Sequence, residues 1–90
     1  MKIQITQRFK RNFQNLTNDE QQTFQKKIEL LLQNPASPFH PSLRIKKIQG
    51  TSGIFECSIN RHIRMTWQHN QSDSILLRNI GKHDRTLKKP

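Results

Sequence analysis

The apolar residues of this chain keep a helical period only between Gln7 and Gln33, and after Asn34-Pro35 that period does not return. Phe9, Phe13 and Leu16 fall at i, i+4 and i+7; Phe24, Ile28, Leu31 and Leu32 fall at i, i+4, i+7 and i+8. Each series makes one apolar helical face. Between them, Thr17-Asn18-Asp19-Glu20 matches a capping box. In that motif a threonine hydroxyl accepts from a free backbone N–H and the glutamate reaches back to the threonine N–H. A first helix from Gln7 and a second over residues 18–33 are predicted. Pro35 ends the second, because its ring disfavours a helical residue before it.

Elsewhere the pattern has period two. Ile3 and Ile5 alternate with Lys2, Gln4 and Thr6, which predicts a short half-buried strand over Met1–Thr6. Leu43–Ile48, Ile54–Ile59, Ile63–Trp67 and Ser74–Ile80 read as further strands, parted by Gly50–Gly53, Asn60–His62 and His69–Asp73. Such short gaps suit antiparallel neighbours. Residues 36–42, with Pro38 and Pro41, read as an ordered connection. The expected class is α+β in the order β-α-α-β-β-β-β, a two-helix hairpin packed on one face of a mostly antiparallel sheet. Ninety residues leave room for one domain, 1–90, with a thin core of Leu, Ile and Phe.

One cysteine excludes an internal disulfide and a Cys-rich zinc site. The four histidines, at 40, 62, 69 and 83, show no ligand spacing, so no metal and no cofactor is assigned. Nothing approaches a membrane span, and the first residues lack the apolar run of an export signal, so the expected location is the cytoplasm. The formal charge is +10. Ten basic and three acidic side chains follow Gln33, against six and three up to it, which makes the second part the expected polyanion-binding face.

Within Ile63-Arg64-Met65-Thr66-Trp67, strand alternation puts Arg64 and Thr66 on the face opposite Met65 and Trp67. Glu56 and Ser58 share that open face, and Cys57 points inward. Ile80-Gly81-Lys82-His83-Asp84 leaves a basic residue and an imidazole at the end of the sheet, after a glycine that permits a sharp turn. Taken singly these are ordinary features: a solvated or Glu56-paired arginine, a local His83–Asp84 bond, and a solubilising Lys46-Lys47 pair. His40 and His62 are weaker still, one preceding a proline and the other in a turn.

Their order and spacing over nearly the whole chain resemble the RelE/ParE superfamily of type II toxin–antitoxin toxins. The resemblance is carried by the initial strand, the helical hairpin, Leu43–Gly50, Ile54–Ile59, Ile63–Trp67 and the ending Gly81-Lys82-His83-Asp84. It implies a ribosome-dependent mRNA endonuclease. Arg64 would contact the scissile phosphate, Lys46 with its neighbour Lys47 would bind or activate RNA, and His83 would be the imidazole after the C-terminal glycine. Nuclease members commonly place a Tyr or Phe a few residues beyond that imidazole, whereas no aromatic follows Trp67 here. The alternative the resemblance leaves open is a ParE-like toxin that poisons DNA gyrase and breaks no RNA bond.

Metal-free RNA cleavage needs a base for the 2′-hydroxyl, an acid for the leaving 5′-oxygen, and cations for the developing charge. Arg64 supplies a planar fork and Lys46 a compact charge. His83 is the expected general acid or base, Asp84 its orienting partner, and Glu56 a lower-ranked base. Arg44, Lys47, Arg61, Arg78, Lys82, Arg85, Lys88 and Lys89 are the expected grip on RNA phosphates. Few rings are placed to read bases, which fits a codon presented by the ribosome. The resemblance also implies an acidic antitoxin partner, and an oligomer formed with it.

Overall fold

The computed structural model describes residues 2–71 and 73–90. Met1 of the predicted first strand and Ser72 of a predicted turn lie outside the described residues. The elements are β1 Lys2–Ile5, α1 Gln7–Gln14, α2 Asn18–Gln33, β2 Lys46–Lys47, β3 Ile54–Ser58, β4 Ile63–His69, β5 Ser74–Lys82 and α3 His83–Lys88. A 3₁₀ turn over Pro41–Leu43 precedes β2.

Both helix starts are capped by threonine. Thr6 Oγ1 accepts from Phe9 N at 3.0 Å and donates to Arg78 O at 2.6 Å, which ties the start of α1 to the sheet. At α2 the capping box is complete: Glu20 N donates to Thr17 Oγ1 at 3.1 Å, and Thr17 N donates to Glu20 Oε1 at 2.8 Å. Phe9 from α1 and Phe24, Ile28 and Leu31 from α2 then enter the core. They join Cys57, Ile59, Ile63, Met65, Trp67, Ile75, Leu77 and Ile80 of the sheet and its turns. Trp67 is fully buried, stacked on Phe55 with ring centroids 4.9 Å apart and edge-on to Phe39 at 5.9 Å.

The sheet order is β1-β5-β4-β3-β2, with β1 parallel to β5 and every other pair antiparallel. Three details correct the sequence expectations. β1 has a neighbour on one side only, and its side chains are exposed rather than half-buried, with Ile3 at 42% and Ile5 at 48%. β2 is the dipeptide Lys46–Lys47 rather than Leu43–Ile48, because Leu43 closes the 3₁₀ turn and Arg44 turns left-handed at φ 46°, ψ 49°. The chain after Lys82 forms α3, which no apolar period announces: of its six residues only Thr86 is buried.

A bulge links β4 to β5. Thr66 pairs with Asn79 and Trp67 with Leu77, so Arg78 is skipped. The extra residue lets Leu77 and Ile80 both reach the core, and Arg78 and Asn79 hold the last residues of the chain. Lys89 O accepts from Asn79 Nδ2 at 2.9 Å and from Arg8 Nη1 at 3.3 Å. Pro90 O accepts from Thr66 Oγ1 and Arg78 Nε, both at 3.0 Å. The sheet face expected to be open at Thr66 is therefore closed there, and Thr66 is fully buried.

Candidate functional site

The β3–β4 turn is built by one side chain. Asn60 Oδ1 accepts from the backbone N–H groups of His62 and Ile63, each at 2.8 Å, a local substitute for a ladder bond. That turn presents three carbonyls to Arg64, whose Nη1 donates to Asn60 O at 2.7 Å, Ile63 O at 3.2 Å and Arg61 O at 3.3 Å. Arg64 is half-buried and folded onto the turn, and it makes no ion pair with Glu56. Glu56 instead stands in line with Lys46 on one side and Thr66 on the other. Lys46 is two strands from Arg64 and two residues further along, roughly 10 Å across and roughly 7 Å along the sheet.

Arg64 lines a hollow of about 440 Å³ with Lys27, Arg44 and Arg61, and no carboxylate lines it. Lys27 is held there by a bond from its Nζ to Ser42 O at 3.2 Å. Cys57 lies close to both charges. Burial pushes its thiol up to about 12, while Lys27 and Arg64 act in the opposite direction. It is a core residue, as its strand phase indicated.

A larger hollow, about 990 Å³, lies beyond the turn and contains His62, Lys82, His83, Arg85, Lys88 and Lys89 together with Glu20 and Asp84. His83 opens α3, and its backbone N donates to His62 O at 2.9 Å. Its Nδ1 lies 3.1 Å from Asp84 Oδ1, and the two side chains are 50% and 95% exposed. The contact is local and engages Nδ1, so Nε2 is the ring nitrogen without a bond among the described residues. Arg61 lines both hollows.

Arg64 and His83 thus stand in adjacent hollows joined through Arg61. Arg44 belongs to the first hollow; Lys82, Arg85, Lys88 and Lys89 belong to the second. Lys46 and Lys47 are exposed on β2 and line neither. Arg78 is turned toward Pro90 and toward Gln68, whose Oε1 accepts from Nη1 at 2.6 Å. Sequence reasoning passed over Lys27 and discounted His62. Nothing in the spacing ties Lys27 to Arg64. His62 was legible in principle, because pairing Ile63 with Lys82 sets the residue before one beside the residue after the other.

The chain matches no protein-family model, and no curated protein matches it. Solved structures do. A YoeB/ParE toxin from Agrobacterium tumefaciens superposes with TM-score 0.78 at 15% identity, covering 92% of this chain and 99% of that one. YafQ in the E. coli DinJ-YafQ toxin–antitoxin complex gives 0.76 at 12% identity, covering 92% of each chain. The archaeal RelE-RelB complex from Pyrococcus horikoshii OT3 gives 0.73 at 15%, covering 94% of this chain and 97% of that one. The fold is that of the RelE-like toxins. Within the RelE-like fold of this chain, the β3–β4 turn, the end of β5 and the start of α3 meet at one corner. No helix among the described residues is long and apolar enough to cross a membrane.

Proposed function

We propose that this chain is the toxin of a type II toxin–antitoxin system and acts as a metal-independent endoribonuclease on mRNA in the ribosomal A site. The observation that supports the reading is that Arg61 lines both the hollow of Arg64 and the hollow of His83 within a RelE-like fold. In the reaction the 2′-oxygen bonds to the adjacent phosphorus and the bond to the 5′-oxygen breaks. The 2′-hydroxyl proton passes to a base, and the 5′-oxygen takes one from an acid, leaving a cyclic phosphate and a 5′-hydroxyl end. His83 serves as the acid, with Asp84 setting the ring, and Arg61 and Arg64 take up the charge on the phosphate oxygens. Lys46 stands with Glu56 on the sheet outside both hollows, and Lys82, Arg85, Lys88 and Lys89 grip ribosomal RNA.

An acidic antitoxin is the proposed partner, and the cytoplasm the proposed location. The surface that suits an apolar antitoxin segment is the exposed Ile3 and Ile5 beside Phe13 and Phe24 on the helical hairpin. The lack of a Tyr or Phe among residues 84–90 favours the second reading, a gyrase-poisoning toxin. Induced expression separates them. The nuclease reading expects growth arrest with cuts in translated messages, mapped by primer extension, that carry 5′-hydroxyl ends. Intact messages with accumulated gyrase–DNA cleavage complexes would replace it with the second reading, and unimpaired growth would remove both.

A further inference from the structure

We propose that Lys27 and Arg44, which share the hollow of Arg61 and Arg64 and do not line that of His83, form a phosphate clamp that holds a backbone phosphodiester of the RNA next to the one being cut. The choice of RNA as the source of the phosphate rests on the nuclease reading above; the anion chemistry does not.

The four cations come from four separate places in the chain: the middle of α2, the residue after the 3₁₀ turn, the β3–β4 turn, and β4. They line one hollow with Ser58 and Asn60 and no acidic side chain. Four like charges gathered without a carboxylate repel one another, and a bound anion is what relieves the repulsion. Two of them are already anchored. Lys27 spends one of its three donors on Ser42 O. Arg64 spends Nη1 on the turn carbonyls, and among the described residues Nη2 and Nε make no hydrogen bond, so one edge of the fork remains for a ligand. Arg44 reaches the hollow from a left-handed backbone conformation that few non-glycine residues adopt.

Donors converging from several elements suit a tetrahedral phosphate better than a planar carboxylate. The neighbouring hollow, which holds the imidazoles, also contains Glu20 and Asp84 and is therefore less purely cationic. A strand laid from Lys27 and Arg44 past Arg64 and Arg61 toward that hollow sets one phosphate at the clamp and the next, the one being cut, between the two arginines and His83. Lys27 and Arg64 also act together on the one buried Cys57 sulfur, against the larger effect of burial.

The test titrates the folded chain with inorganic phosphate and with the trinucleotide UpUpU lacking terminal phosphates, following the Arg side-chain N–H resonances by NMR. Both probes are expected to saturate, with UpUpU at least as tight as phosphate. Lys27→Gln and Arg44→Gln should each weaken binding about tenfold, the loss of one charge-assisted contact. Lys27→Arg should retain binding, which distinguishes loss of charge from loss of fold, and Lys26→Gln, on the exposed side of the same helix, should bind like the parent. Binding unchanged in Lys27→Gln would overturn the clamp, as would acetate saturating as tightly as phosphate. Saturation by phosphate but not by UpUpU would overturn the RNA backbone as its occupant. Growth arrest without phosphate binding here removes the clamp and leaves the toxin reading; binding here in a chain that neither arrests growth nor cuts messages does the reverse.

Discussion

At the scale of single residues, the environment of a side chain departs most from what its position in a strand implies. Arg64 sits on the outward face that alternation assigns to it, yet its Nη1 is bound to three backbone carbonyls of the turn. Replacing it therefore removes structural bonds as well as charge, and Arg64→Ala is a poor test of catalysis by itself. His83 is the cleaner probe. It is half exposed, and its side-chain contact among the described residues is the one with Asp84. His83→Ala should slow single-turnover cleavage on saturating ribosomes by roughly 10²–10⁴-fold if it transfers the proton. Its unfolding curve in urea should stay within about 0.5 kcal/mol of the parent, as an exposed substitution does. Cleavage at the parental rate once bound would leave the imidazole a binding or structural role only. The buried Trp67 has an indole Nε1–H without a hydrogen-bond partner among the described residues.

At the scale of elements, α3 is the piece whose placement determines where His83 stands. It is short, has no side-chain cap, and buries one threonine, so its position depends on the strand that delivers it. Gly81 is the joint. A Cβ built there would lie 3.0 Å from Thr86 Oγ1, and Gly81 pairs with Arg64 across the sheet. Gly81→Ala crowds Thr86, the buried residue of α3, whose hydroxyl must give by a few tenths of an ångström, while the core strands keep their register. The expected outcome is a cleavage rate lowered about tenfold or more for a stability loss of about 1–2 kcal/mol. The readouts are the single-turnover rate and urea unfolding of the same preparation. A variant that unfolds outright would show that the joint is structural, and an unchanged rate would show that α3 does not position the imidazole. Sequence periodicity located the other helices because each packs an apolar face against the core, whereas α3 buries one threonine.

At the scale of the whole molecule, the net charge of +10 sets long-range attraction, and the sheet topology decides where it acts. Lys88, exposed near the end of α3, lines the His83 hollow. Lys88→Ala should weaken ribosome association and reduce the slope of log affinity against log salt by roughly one unit. Cleavage of bound message should be nearly unchanged. Binding measured from low to physiological salt checks this; an unaltered slope would place Lys88 outside the contact.

The helical hairpin, its capping box, the strand sequence and the inward phase of Met65, Trp67 and Cys57 were all legible in the chain, because each follows from contacts within a few residues. So was the local His83–Asp84 pair. What folding alone decided is which distant groups meet. Parallel pairing of β1 with β5 left Ile3 and Ile5 exposed, and the bulge at Arg78 and Asn79 drew the C-terminal residues over Thr66. The register of Ile63 with Lys82 set His62 beside His83. Lys27 and Arg64 became neighbours across 37 positions of sequence because α2 and the β3–β4 turn border one hollow. Such meetings depend on long-range register and packing, and local propensity carries no record of them.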